Sequence, residues 1–229
     1  QDVHGLSISH QSVLNYAQAA SVMLKPFVDN YPYELSGSFC GDETYIKVNG
    51  IWNYIFFFFD AKKKIILSNR VSTNRDTLSA IKSIDDVLKK LPSIPDNLKF
   101  IVDGNPIYLL ARHFFASEGI NFDVEQVIGL TNSDPVSTEH RPLKQIIERL
   151  NRTFKYNYRP TCGYGSADGS IAHVNLFTAY FNFLRAHSSL DNSTPVTIPE
   201  LTNLPHMPAR WTKLLALAQN DILKRQIPA

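Results

Sequence analysis

Three acidic residues stand where carboxylates can do chemistry. They are Asp42, in Gly41-Asp42-Glu43-Thr44-Tyr45-Ile46-Lys47; Asp103, in Ile101-Val102-Asp103-Gly104-Asn105; and Glu148, in Ile146-Ile147-Glu148-Arg149-Leu150. Asp42 opens a stretch of alternating polar and apolar residues, and Asp103 ends a short apolar run, so one should start a strand and the other finish one. If those strands are neighbours, both carboxylates approach one point. Glu148 lies in a helical stretch, flanked by two isoleucines and surrounded by cations. Converging carboxylates suit phosphoryl transfer. Oxygen ligands hold Mg²⁺ or Mn²⁺, and two such ions about 3.5–4 Å apart activate the attacking oxygen and stabilise the leaving one. Singly the acids say little: an Asp at a strand end is commonly a turn residue, and Glu148 has Lys144 and Arg152 at helical i,i+4 spacing. The information is in the ordered set.

Composition sets the frame. A chain of 229 residues, 44% hydrophobic, can bury a sizeable core. The net charge is only +2, but between Arg141 and Arg159 the cations Arg141, Lys144, Arg149, Arg152, Lys155 and Arg159 meet one acid, Glu148. Such a run is either a solvated helix face or a phosphate-binding surface. Cys40 and Cys162 lack metal-ligand spacing and argue against structural zinc and a disulfide framework, which fits a reducing cytoplasm. The run Ile55 to Phe59 is too short to span a bilayer, which needs about 20 apolar residues, and reads as a buried strand.

These residues must be positioned by an α/β fold. A Ser-capped helix is expected near Ser9, following the Gly5-Leu6-Ser7 phrase, within a helical segment over 1–34. Asp42 to Val48 forms a strand, Asn49-Gly50 a hairpin turn, Ile51 to Asp60 an aromatic strand, Lys62-Lys63-Lys64 a second turn, and Ile65 to Val71 a third strand. A helix over Thr73 to Leu91 follows, then a strand Lys99 to Val102, a helix Ile107 to Ser117 and a strand Val124 to Leu130. Beyond a polar loop at 131–138 come a basic helix Glu139 to Tyr158, an aromatic helix Asp168 to Arg185, and a proline-punctuated tail with a helix near Ala209 to Ile222. A meander followed by βαβ units gives a mixed sheet with helices on both faces. This is the element order of a ribonuclease H-like domain, with a mixed five-stranded sheet and helical N- and C-terminal appendages. Residues 1–36 read as a helical segment resembling the remnant of a helix-turn-helix, 37–190 as the core, and 191–229 as the tail.

At Gly41 to Val48 with Gly50 and Trp52, at Val102-Asp103-Gly104, and at Ile147 to Lys155, the sequence resembles the DDE transposases of bacterial insertion sequences, in the branch similar to retroviral integrases. Arg159-Pro160, Gly163-Tyr164 and Tyr180 to His187 continue the likeness over roughly residues 5–195. The resemblance implies that Asp42, Asp103 and Glu148 are the catalytic residues and hold two Mg²⁺ or Mn²⁺ ions. It implies that Lys144, Asn151, Arg152, Lys155 and Arg159 face DNA, with Lys155 foremost because it returns to the Glu148 face after seven residues. It further implies cleavage at transposon ends, transfer of the 3′-hydroxyl into target DNA, a homo-oligomer on DNA, no membrane association, and an end-recognition segment preceding Gln1. The alternatives are a domesticated, non-catalytic DNA-binding protein and a ribonuclease H-like nuclease that only hydrolyses. The third carboxylate is contested. Glu139 leaves 35 residues after Asp103, the spacing of the family, whereas Glu148 leaves 44. Asn151, Arg152 and Lys155 match the family helix around Glu148, and Glu139 has a sufficient reason to exist as an acid near a helix N-terminus.

Overall fold

Successive strand side chains point to opposite faces, so a run such as Ile55–Phe59 can be apolar throughout only where both faces of its sheet are covered. That is its setting in the structure, a computed structural model that describes residues 7–128 and 135–226. Phe56 and Phe58 enter one hydrophobic cluster and Ile55, Phe57 and Phe59 the other, all essentially without solvent contact. Burying one such ring contributes about 1.5–3 kcal/mol, so this strand anchors both halves of the core.

The run forms the middle of β2 (Ile51–Asp60), which is followed by β3 (Ile65–Ser72) and preceded by β1 (Ser38–Val48). β4 (Lys99–Val102) and β5 (Asp123–Gln126) complete a five-stranded sheet of order β3-β2-β1-β4-β5. The β1–β2 and β2–β3 pairs are antiparallel, while β1–β4 and β4–β5 are parallel. Helices lie on both faces, so the chain has the ribonuclease H-like mixed sheet. Asn49 and Gly50 both take positive φ, 49° and 77°, as a two-residue hairpin turn requires.

On one face α2 (Thr77–Leu88) and α3 (Ile107–Ser117) cover the sheet, and α1 (His10–Asn30) and α7 (Met207–Gln226), packed on each other, extend the same hydrophobic cluster. Leu24 and Val28 of α1 and Leu214 and Ala218 of α7 belong to one cluster with Phe58 and Phe100, so the two ends of the chain pack into the core. Trp211 stacks on Tyr180, which gives it a packing role. On the other face lie α4 (Pro135–Tyr158) and α5 (Ala167–Ala179). A short α6 (Pro199–Thr202) precedes α7. α5 continues as a π turn, Tyr180–Leu184, whose Asn182 side chain bonds both the amide and the carbonyl of Ile66 at 2.9 Å. The side chain thereby occupies backbone groups of an edge strand that would otherwise be open to pairing.

Several boundaries differ from those expected of the sequence. β1 begins four residues before Asp42, and Gly41 within it has no side chain to extend the alternation. α2 begins at Thr77 behind the cap Asp76, whose carboxylate accepts from the Ser79 amide at 2.9 Å, and not at Thr73. β5 ends at Gln126, with positions 127–128 outside it, and positions 129–130 of the expected strand lie outside the described residues. α4 begins at Pro135, a residue suited to a first helical turn, so Glu139 lies inside the helix and Pro142 is accommodated within it. Ser9 caps α1 as expected, accepting from the Ser12 amide at 3.0 Å. The Gly5-Leu6 part of the N-terminal phrase, positions 131–134 of the polar loop and positions 227–229 of the tail lie outside the described residues.

Candidate active site

β1 is the central strand and its parallel pairing with β4 creates the site. The pairing sets Ser38 against Lys99 and Cys40 against Ile101. Continued two residues, the same offset brings Asp103 level with Asp42. Asp103 follows the last residue of β4 and is held by its own loop. The Asn105 amide donates to its Oδ1 at 3.0 Å, the Asn105 side chain accepts from the Ile107 amide at 3.3 Å, and Gln126 donates to the carbonyls of Asp103 and Asn105. Asx-type bonds of this kind fix a strand-to-helix turn without regular structure.

Asp42 faces α4. The helix lays Ile147, Leu150 and Phe154 on the sheet and runs alongside β1. Cys40 Sγ donates to the Leu143 carbonyl at 3.4 Å, and the Lys47 amide donates to the Tyr158 hydroxyl at 2.7 Å. Between these anchors, Lys144 Nζ lies 2.8 Å from Asp42 Oδ1 and Asn151 Nδ2 donates to Oδ2 at 2.9 Å. Lys144 and Asn151 are seven residues apart, two turns on one helix face. Burial raises the pKa of Asp42, Lys144 opposes the shift, and the negative charges of Asp103 and Glu148 add to it. Glu148 is therefore within electrostatic reach of Asp42, with its side chain exposed next to the buried Ile147.

Glu139 lies elsewhere. It is exposed, sits 3.8 Å from His140, and borders a cavity lined by Gly37, Ser38, Leu98 and Lys99, at the other end of the β1–β4 pair. The structure thus brings Asp42 and Asp103 together, sets Glu148 in their field, and keeps Glu139 with the opposite strand ends.

A fourth acid, overlooked in the sequence, belongs to this cluster. Oxygens of Asp42, Glu43 and Asp103 lie within 4.8 Å of one another. Glu43 has only 2% of its side chain exposed. Burial raises its pKa, and Arg75 lowers it in opposition. Arg75 holds both Glu43 oxygens, Nε to Oε1 at 3.2 Å and Nη2 to Oε2 at 3.3 Å, and also reaches Asp103 Oδ2 at 3.2 Å. Asn105 Nδ2 donates to Glu43 Oε1 at 3.2 Å. The only signal in the sequence was the adjacency of two acids in Asp42-Glu43.

The residues fit a divalent cation. The donors are carboxylate oxygens, as Mg²⁺ and Mn²⁺ require. A protein cation, Lys144, already sits on Asp42. The buried Oδ1 of Asn151, beside Asp42, has no hydrogen-bond partner among the described residues and can accept from a water.

The residues predicted to face DNA divide into two groups. Arg152 and Arg159 are exposed. Lys144 is not a phosphate-facing residue here: it is 7% exposed and paired with Asp42. Asn151 likewise turns to Asp42. Lys155 donates to the Tyr45 carbonyl and lies 3.8 Å from the Tyr45 ring centroid, where burial lowers its pKa. It can reach there because β4 ends early and leaves that edge of β1 open. Both cysteines are free, Cys40 buried and Cys162 exposed.

A family model described as a DDE domain, of the IS240 transposase type, matches residues 36–161, more than half of the chain and inclusive of all these acids. No match is found among curated proteins. Among solved structures, the chain is similar to the intasome of simian T-cell lymphotropic virus in complex with the PP2A regulatory subunit B56 gamma. The two are 18% identical, the match covers 78% of this chain and 59% of that one, and the TM-score is 0.50. The HTLV-2 integrase catalytic core domain in complex with magnesium is 17% identical, with 70% and 95% covered and a TM-score of 0.49. The Mos1 strand transfer complex is 10% identical, with 95% and 65% covered and a TM-score of 0.33. At 18% identity the likeness to the simian virus intasome speaks for the fold alone.

Proposed function

Because the chain belongs to the DDE-domain family of transposases, which are polynucleotidyl transferases, we propose that it cleaves DNA at the ends of a mobile element and joins the freed 3′-hydroxyl to target DNA. The observation that supports this best is the convergence of Asp42 and Asp103 on adjacent parallel strands, with Glu148 on the helix that crosses them.

In this reading Asp42, Asp103 and Glu148 hold Mg²⁺ or Mn²⁺, two ions in the active complex. When bound, such ions supply charge stabilisation to the attacking and leaving oxygens of an in-line displacement. The protein's own part is positional. Lys144 and Asn151 fix both oxygens of Asp42, and the Asn105 turn fixes Asp103. In cleavage, a water oxygen bonds to the phosphorus while the bond to the 3′-oxygen breaks, and that oxygen leaves as a hydroxyl. In transfer, the hydroxyl oxygen bonds to a target phosphorus, and the displaced target 3′-oxygen takes up the proton. Neither step needs a covalent enzyme intermediate. Exposed Arg152 and Arg159, with Lys155 at the open edge of β1, would carry the DNA backbone. Transposon ends and target DNA are the proposed partners, bound by a homo-oligomer. No described helix is long and apolar enough to cross a membrane.

The test is a strand-transfer assay with labelled terminal-repeat DNA, a target plasmid and Mg²⁺ or Mn²⁺. Joined product supports the proposal. Cleaved ends without joined product would reduce the chain to a nuclease, and binding without either would make it a DNA-binding protein.

A further inference from the structure

We propose that Glu43 is a positioning residue of the site: it retains Arg75 as its own counter-ion and so leaves Asp103 free to take a divalent cation. The inference rests on the reading of Asp42 and Asp103 as metal-holding residues, and deepens it.

Arg75 is shared unequally. It grips both oxygens of Glu43, a bidentate pairing, and one oxygen of Asp103. Bidentate guanidinium–carboxylate pairs are the stronger and more directional kind. The two acids also differ in exposure. Glu43 is 2% exposed and Asp103 27%. A carboxylate as buried as Glu43 must keep a partner, because breaking such a pair leaves an uncompensated charge. Asp103 can exchange Arg75 for a cation arriving from solvent. Asn105 couples the two acids a second time, donating its side-chain amide to Glu43 and its backbone amide to Asp103.

The surroundings of Glu43 show that this polar centre is built into the core and is not a surface accident. The hydroxyl of Tyr108 is wholly buried, has no hydrogen-bond partner among the described residues, and lies within electrostatic reach of Glu43, Asp103 and Asp42. A phenylalanine would pack equally well against Phe58. The oxygen therefore belongs to the acid cluster, with Glu43 its strongest charged neighbour.

If Glu43 held no claim on Arg75, the guanidinium would settle on Asp103 and compete with the metal. Removing Arg75 as well would lift that competition. A direct metal-ligand role for Glu43 predicts the opposite outcome for the pair of changes, so the two roles separate cleanly.

The experiment measures Mn²⁺ binding to the DNA-free chain by calorimetry, for the wild type, Glu43→Gln, Arg75→Gln, the double variant and Asp42→Asn, with melting curves for each. Glu43→Gln is expected to weaken Mn²⁺ binding about tenfold, roughly 1.4 kcal/mol, and the added Arg75→Gln to restore it to wild-type strength or better. Restoration cannot arise from misfolding. Undiminished binding in Glu43→Gln, or a double variant as weak as Glu43→Gln, overturns the proposal. Asp42→Asn should abolish binding. If it binds as the wild type does, the metal-site reading fails and takes the proposal with it. If it loses binding while no rescue is seen, the proposal alone fails.

Discussion

The ammonium of Lys144 lies 2.8 Å from a carboxylate oxygen of Asp42, with both side chains largely withdrawn from solvent. A cation from α4 thus neutralises the acid from β1 on which the proposed chemistry depends. Removing one partner of a buried ion pair costs about 3–5 kcal/mol. Lys144→Met should lower unfolding stability by about 3 kcal/mol in chelator, measured by urea titration, with much of the loss recovered on adding Mg²⁺, since a ligand that binds the folded state stabilises it. Equal stability of variant and wild type in chelator would show that the pair contributes nothing.

The burial of Lys144 also separates two kinds of basic residue on α4. Removing one phosphate-binding cation should lower the slope of log affinity against log salt by about one. Arg152→Gln should do this in DNA-binding titrations. Lys144→Met should leave the slope unchanged, because its charge already faces Asp42. A shallower slope in Lys144→Met would place that ammonium on DNA.

Gly41 sets the strand beside Asp42. A Cβ at this position would stand 2.5 Å from Phe58 Cε1, and the Phe58 ring is itself held by Phe100 and Tyr108. Overpacking of this sort costs about 1–3 kcal/mol. Gly41→Ala should lower the urea midpoint, and Phe58→Leu in the same chain should recover part of the loss. Additive losses would show that the contact is not the cause.

His187 supplies a pH dependence remote from the acids. Its ring packs on Phe181 at 4.5 Å, its Nε2 is buried without a partner among the described residues, and burial with Arg185 nearby lowers its pKa from 6.5 to about 4. Between those values the unfolded chain binds a proton that the folded chain refuses. The contribution is therefore intact above pH 6.5 and lost as pH falls towards 4. Unfolding free energies at pH 7 and pH 5 should differ less in His187→Leu than in the wild type. The residue is only partly buried, so solvent screening reduces the difference. Equal differences would assign the acid sensitivity to other groups.

The sheet was legible where local chemistry and tertiary demand agree. Asn49-Gly50 names its own turn, and a run of phenylalanines bounded by Asp60 can only be a doubly covered strand. Asp42 was legible as a strand residue and Asp103 as the residue at a strand's end, and parallel pairing then aligned them. What was hidden depended on distance in sequence. Gly41 has no side chain to carry the alternation, and the reason for it, Phe58 in the space beside it, lies on another strand. Lys144 looked like a helical partner of Glu148, yet its ammonium pairs with Asp42, on a strand about a hundred residues earlier. Glu43 alternates to the opposite face from Asp42, so the strand pattern gave no reason to group the two. Its partners Arg75 and Asn105 come from two separate loops.

The choice between Glu148 and Glu139 bears most directly on the proposed function. In a strand-transfer assay with Mn²⁺, Glu148→Gln should lose on the order of a thousandfold in rate, about 4 kcal/mol, as should Asp42→Asn and Asp103→Asn. Glu139→Gln, at the far end of the β1–β4 pair, should stay within a few-fold of the wild type. Full activity in Glu148→Gln, with loss in Glu139→Gln, would contradict the site described here.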